Sequence, residues 1–183
     1  MNTARFSIGC VAASIILGCT SAGDGPTSPD ASVGSVRLDG SAEHGVVASA
    51  TGAAHRIRPL PDGELWVLAF NAEERADGTT TGYVHVDRKD LDAAWDIEVT
   101  CMEVVGNIAW IAGIMRNSRG ALPRDGMVSY FYVVDNGEGD ADPPDEASAI
   151  RLNDVAGQDR EFCELRPLAL PKTVIAHGNV QVR

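Results

Sequence analysis

No run of eighteen apolar residues occurs in this 183-residue chain, so it holds no candidate for a membrane-spanning helix. Basic residues are few, with 15 Lys and Arg against 26 Asp and Glu and a net charge of −11. A chain so short of cations cannot neutralise phosphates, which argues against nucleic-acid partners. There is no CxxC, so zinc-ribbon and redox-dithiol chemistry have no support. HExxH, GxSxG, GxGxxG and GxxxxGK[ST] are also missing, which leaves zinc proteases, serine-elbow hydrolases and nucleotide binding without a local signature. No segment keeps a 3.6-residue apolar period over three turns, so a helical bundle is not expected. What is present is ordinary for a folded domain: hydrophobic residues make up 44% and charged residues 22%, and the length suits one domain with a real core.

Arg5 is the only charge in the first 23 residues, and Ile8 to Leu17 is mostly apolar. A short charged start and a short apolar stretch have the form of a secretory signal peptide. Ten residues reach only about 15 Å as a helix, half of a hydrocarbon core. Ile16-Leu17-Gly18-Cys19 ends the stretch. It resembles a bacterial lipobox, with Leu17 larger than the usual Ala or Ser. The resemblance implies cleavage before Cys19 and acylation of its thiol with diacylglycerol. It divides the chain into a signal peptide (1–18), a lipidated tether (19–34) and a β domain (35–183).

Thr20 to Pro29 hold no apolar residue larger than Ala, which fits a flexible tether with nothing to bury. Residues 20–34 span at most about 50 Å when extended. In lipoproteins of this kind an Asp after the Cys favours inner-membrane retention. Thr20 stands there instead, so in a Gram-negative host the resemblance implies the outer membrane. The expected partner is then the membrane, through the lipid. Cleavage removes Arg5 and no acidic residue, which takes the net charge from −11 to −12.

Of the four cysteines, Cys10 leaves with the signal peptide and Cys19 takes lipid. Cys101 and Cys163 remain as an even pair in an oxidising compartment and are expected to bridge. A closed loop of about 60 residues is worth ~4 kcal/mol in the chain-entropy model.

The pattern beyond Ser35 is one of short strands broken by glycines. Leu65 to Phe70 are six apolar residues in a row within Gly63 to Asn71, which reads as a strand buried on both faces. Asp77-Gly78 begins a turn into Gly82 to Asp87, and the two strands make a hairpin. Asp96 to Val104 alternates strictly, so Ile97, Val99 and Cys101 are expected on one face and Asp96, Glu98 and Thr100 on the other. Gly106-Asn107 turns the chain into Ile108 to Met115. Met127 to Val134 is a further strand, and Ser148 to Leu152, Lys172 to Ala176 and Val180 to Val182 are shorter ones. His177-Gly178-Asn179 reads as a turn, Leu91 to Trp95 as one helical turn at most, and Ser35 to Leu38 and Gly45 to Ala50 as two early strands. Seven to ten such strands predict an all-β fold, an antiparallel sandwich or a small barrel.

A Cys strand, a Gly-Asn turn, an apolar strand, the loop Asp135-Asn136-Gly137 and the later Pro144-Asp145 form one series. In this the chain resembles a family of uncharacterised exported bacterial β-proteins over about residues 60–183. The resemblance implies a β fold and carries no catalytic residues.

Asp135 to Glu146 hold six acidic residues in twelve positions. Hard cations want six to eight oxygens, so a calcium site with Asp135, Asp140 and Asp142 as first ligands stands beside a plain solvated acidic turn. Gly137 and Gly139 occupy places where an EF-hand needs oxygen ligands. His85 and Asp87 share a strand face, as two metal ligands, an oriented base or an exposed pair. Ser118 has no acidic or His partner nearby in sequence. Trp66 and Trp110 are expected in the core, and Trp95, beside charges, at the surface. Tyr130 and Tyr132, on one face with Val128 and Val134, either flank a cavity or simply pack.

The expectation is a membrane-anchored cell-envelope lipoprotein with a non-catalytic binding or structural domain. The alternatives are a carrier with an apolar cavity lined by Trp66, Trp110 and Phe131, and a hydrolase using two carboxylates at working separation.

Overall fold

A computed structural model describes residues 45–57, 65–121, 123–139 and 141–183. The expected signal peptide (1–18), Cys19, the expected tether (19–34) and the early strand expected at Ser35 to Leu38 lie outside the described residues. The elements in chain order are β1 (Val46–Ile57), β2 (Leu65–Arg75), β3 (Thr80–Arg88), β4 (Ala93–Val105), β5 (Ile108–Arg119), β6 (Val128–Val134), β7 (Glu146–Ser148), β8 (Arg151–Asn153), α1 (Gln158–Leu165), β9 (Lys172–Val174) and β10 (His177–Val182). The ten strands form one antiparallel sheet in the order β10-β1-β2-β3-β4-β5-β6-β7-β9, with β8 paired to β6. The sheet curls on itself into a half-barrel, so the expectation of an all-β, antiparallel fold holds.

Alternation decides which side chains line the inside of the curl. Leu68, Phe70, Val84, Val86, Ile97, Ile111, Phe131, Val133 and Val180 face the concave side and are buried in one cluster. Phe70 meets Phe131 edge-on at 5.9 Å, and Trp66 meets Trp95 at 5.8 Å, separations at which the quadrupoles of aromatic rings attract. Trp95 is therefore not the exposed tryptophan its charged neighbours suggested: it is 2% exposed. Its neighbour Asp96 is buried as well, so a charge next in sequence was no guide to solvent.

The strict alternation expected through β4 breaks at Thr100. Val99 pairs with Gly113 and Cys101 with Ala112, leaving Thr100 as an extra residue in a β-bulge. The bulge turns Cys101 away from Ile97 and Val99. Met102 takes the next concave position, while Cys101 joins a second cluster on the convex side with Trp110, Ala112, Tyr132, Val134, Phe162 and Cys163. Gly113 makes the bulge possible, because a Cβ there would lie 2.0 Å from the Glu98 carbonyl oxygen.

The second cluster exists because α1 lies on the convex face of β4, β5 and β6. No apolar period in the sequence marks this helix. It has two turns, carries Asp159 and Glu161 where acids suit a helix N-terminus, and buries only Asp159, Phe162 and Cys163. Cys163 bonds to Cys101 across a 62-residue separation, as expected. The Thr100 hydroxyl donates to Asp159 at 2.6 Å, and Tyr130 packs against Phe162 with ring centres 4.6 Å apart. The Tyr132 hydroxyl donates to the Leu170 carbonyl at 3.1 Å, and the Trp110 indole N–H donates to the Pro167 carbonyl at 3.2 Å. Tyr130 and Tyr132 thus pack under the helix and the segment after it.

Two local readings change. Leu91 to Trp95 is not helical: a turn ends at Asp92 and β4 begins at Ala93. His177-Gly178-Asn179 is not a turn but the start of β10, paired with Ala53 to His55. Gly178 has φ +116, and a Cβ there would lie 1.9 Å from the Ala53 carbonyl oxygen. Gly178 serves close strand approach here and not a bend.

Candidate functional site

A polar cluster lies on the convex face across β3, β4 and β5. Val84 and Val86 point inward on β3, so Tyr83, His85 and Asp87 point outward. His85 pairs directly with Asp96 across the ladder. Its Nδ1 lies 2.7 Å from Asp96 Oδ1. Asn117 Nδ2 donates to Asp96 Oδ2 at 2.9 Å, and the Tyr83 hydroxyl donates to the same carboxylate. Asn117 reaches it from a register irregularity, where β5 spends three residues against two of β4. Its φ of +51 is one that Asn tolerates better than most residues.

The electrostatics follow from that convergence. Burial works against ionisation of Asp96, but hydrogen bonds from His85, Tyr83 and Asn117 outweigh it and hold the carboxyl below its ordinary value. The Tyr83 phenol is pushed up to about 12, first by its hydrogen bond to Asp96 and then by burial. An ionised carboxylate only accepts, so the proton between the two side chains sits on His85 Nδ1. The imidazole is thereby oriented with Nε2 outward, and the side chain is 45% exposed. Such an arrangement can accept a hydrogen bond or a proton, or offer one nitrogen to a metal. Among the described residues no Ser, Thr or Cys is hydrogen-bonded to His85, so the pair lacks the nucleophile of an acyl-transfer site.

Sequence spacing pairs His85 with Asp87. They share a face, but Asp87 is engaged by Lys89 at 2.5 Å and lies 3.8 Å from Arg119. The carboxylate that orients His85 stands on the next strand. Only the β3–β4 register reveals it. Ser118, which had no obvious partner, donates to Asp125 at 2.6 Å.

The acidic loop follows β6. Asp135 Oδ1 accepts the Gly137 N–H and Oδ2 the Val182 N–H, and Asp142 Oδ2 accepts the Gly139 N–H. Asp140 lies outside the described residues. Three carboxylate oxygens of the first-choice calcium ligands are thus committed to backbone amides. Among the described residues no three of His, Cys, Asp and Glu are grouped to hold a metal ion.

Asp145, which nothing in the sequence sets apart from its acidic neighbours, is central to this region. It is 7% exposed. Its Oδ1 accepts the Asn136 N–H and its Oδ2 the Val180 N–H, both at 2.8 Å. Along β10 the backbone N–H groups point alternately toward and away from β1; Arg183 exchanges both bonds with Ser49, so the N–H groups of Val180 and Val182 face the other way. Asp145 and Asp135 cap that open strand edge with charge-assisted bonds. A shallow pocket of ≈ 230 Å³ lies beside them, lined in part by Glu138, Asp142, Ile175 and Asn179. Glu138 accepts from Asn179 at 2.6 Å and Gln181 at 3.1 Å.

The three residues expected to line a carrier cavity are not brought together on one face. Trp66 and Phe131 belong to the concave cluster, and Trp110 belongs to the convex one under α1. Among the described residues no helix is long and apolar enough to cross a membrane. The sequence matches no family model, and no curated protein or solved structure matches it.

Proposed function

We propose that this chain is an exported cell-envelope lipoprotein, anchored through Cys19, whose half-barrel works by binding or structural contact through its convex face and loops. The observation that carries the proposal is the disulfide between Cys101 and Cys163. Such a bridge persists in oxidising compartments and is rare in the cytosol. It agrees with the signal-peptide form and the Leu17-Gly18-Cys19 ending of the first 19 residues. The tether of residues 20–34 then leaves the domain within about 50 Å of the membrane. The absence of an inner-membrane retention residue at Thr20 favours the outer membrane in a Gram-negative host.

Binding is favoured over catalysis by the form of the polar cluster. Its oriented imidazole lies on an open sheet face and is not hydrogen-bonded to a nucleophile among the described residues. A binding surface of this kind needs hydrogen-bonding groups fixed in place, and Asp96 fixes three of them at once.

Mass spectrometry of the protein purified from its own membranes, intact and after digestion without reduction, tests this reading. The expected result is an N-terminal Cys19 carrying diacylglycerol, together with a cross-linked peptide joining Cys101 to Cys163. An unlipidated chain that retains residues 1–18 and free thiols would overturn it.

A further inference from the structure

We propose that His55 and His177 form a two-imidazole site for a divalent transition-metal ion where β1 meets β10. The two residues are direct partners in the ladder, so their side chains leave the sheet on the same face. Ala54 and Val180 are buried in the concave cluster, and both histidines are exposed on the opposite side. Their ring centres lie 6.4 Å apart with the ring planes at 89°.

Metal–imidazole bonds of about 2.0–2.1 Å place two rings bound to one ion with centres roughly 5–6 Å apart. Modest side-chain rotation brings this pair into that range. The backbone beneath the rings is closely held. Gly178, next to His177, brings β10 so near β1 that a Cβ would collide with the Ala53 carbonyl oxygen. The Ala176 N–H donates to the His55 carbonyl at 2.9 Å. The rings therefore remain opposite one another. No described residue hydrogen-bonds to either ring, in contrast to His85, whose Nδ1 is taken by Asp96.

Paired imidazoles suit copper, zinc and nickel, whereas the oxygen-rich loop after β6 would suit only harder ions. Among the described residues no third His, Cys, Asp or Glu completes the set. The remaining coordination positions are thus left to water or to a donor from another molecule. An ion held by both rings would clip β10 to β1, the pairing that ends the sheet. The inference stands on the two rings and does not depend on the lipid anchor.

The competing reading is a simple edge-to-face ring pair. Titration of the full chain, purified without a polyhistidine tag, with Cu2+ alone separates the two. Copper is chosen because it binds such sites most tightly in its series. The expected result is one Cu2+ per chain, an electron paramagnetic resonance spectrum showing two nitrogen ligands, and a rise in Tm on metal addition. His55→Ala and His177→Ala should each weaken binding at least the ~10-fold that losing even a supporting group costs a metal site. His177→Phe should keep the ring packing and the metal-free Tm but lose the copper response. Uptake as strong in the His55→Ala/His177→Ala double variant as in the parent would place copper elsewhere and overturn the proposal. Absence of uptake by the parent would overturn it too.

Discussion

Between Val46 and Val134 six strands of 7 to 13 residues hold one another mainly through long backbone ladders broken at a few bulges. After Asp135 every strand but β10 is three residues long, and the links are of another kind. Asp135 and Asp145 cap the free edge of β10. The buried Ser148 hydroxyl accepts the Tyr132 N–H at 2.9 Å. A disulfide fastens α1 to β4. The first region gains stability from many small, repeated terms, so any one of them is dispensable. The second depends on a few single side chains, each of which satisfies a backbone group or joins distant parts of the chain. It should therefore break locally, and at named residues.

The largest effect expected from this contrast is loss of the staple. Replacing both Cys101 and Cys163 by Ser should lower unfolding free energy by about 4 kcal/mol, the chain-entropy value for a loop of this length. The urea midpoint of the variant, compared with that of the parent under reducing and non-reducing conditions, checks it. The reduced parent should approach the variant.

Asp145→Ala comes next. It leaves the buried Val180 N–H and the Asn136 N–H without acceptors, at a cost of about 3 kcal/mol. Asp142→Ala is the matched control. That residue is exposed and caps one exposed amide, so the change should stay within about 0.5 kcal/mol. Equal effects at the two positions would erase the distinction between edge-capping and ordinary loop carboxylates.

Asp96→Asn probes the ladder region, where the polar cluster is an addition to the backbone pairing. The Asp96 carboxyl is held below its ordinary value, so its contribution is present above ~3.9 and is lost as pH falls through the lower folded value. The variant should lose about 1.5 kcal/mol at neutral pH, and its acid limb in a stability–pH profile should be flatter.

Tyr83→Phe should have the smallest effect, about 1 kcal/mol or less, since the ring is nearly half exposed. The sign is opposite to that of Asp96. A phenol raised to about 12 contributes stability below its usual pKa of ~10 and loses it as pH rises through about 12. The parent should therefore show an alkaline decline that the variant lacks.

The same contrast decides what could be read from sequence. The strands β2 to β6 announce themselves through period-2 or continuous apolar runs, because each residue of a ladder repeats the same message. The Cys101–Cys163 pairing was reachable by cysteine arithmetic. The bulge at Thr100 was not, since one inserted residue leaves the local pattern of Ile97, Val99 and Cys101 intact while reversing the last of them. The helix α1 was hidden because two turns bury too few residues to show a period. Its acids at Asp159 and Glu161 were the available signal. His85 and Asp96 are eleven residues apart, and only the β3–β4 register brings them together. Asp145 is one acid among six in sequence, and its burial and its bonds to the Asn136 and Val180 N–H groups appear only in the fold.

Hydrogen exchange read by mass spectrometry, on the oxidised chain and again after reduction, tests the central contrast most directly. The account predicts that peptides covering Leu65–Arg88 keep their protection after reduction, while Gln158–Leu165 and the short strands from Glu146 onward lose theirs. Loss of protection in β2 and β3 together with α1, to the same degree, would show one cooperative unit and contradict it.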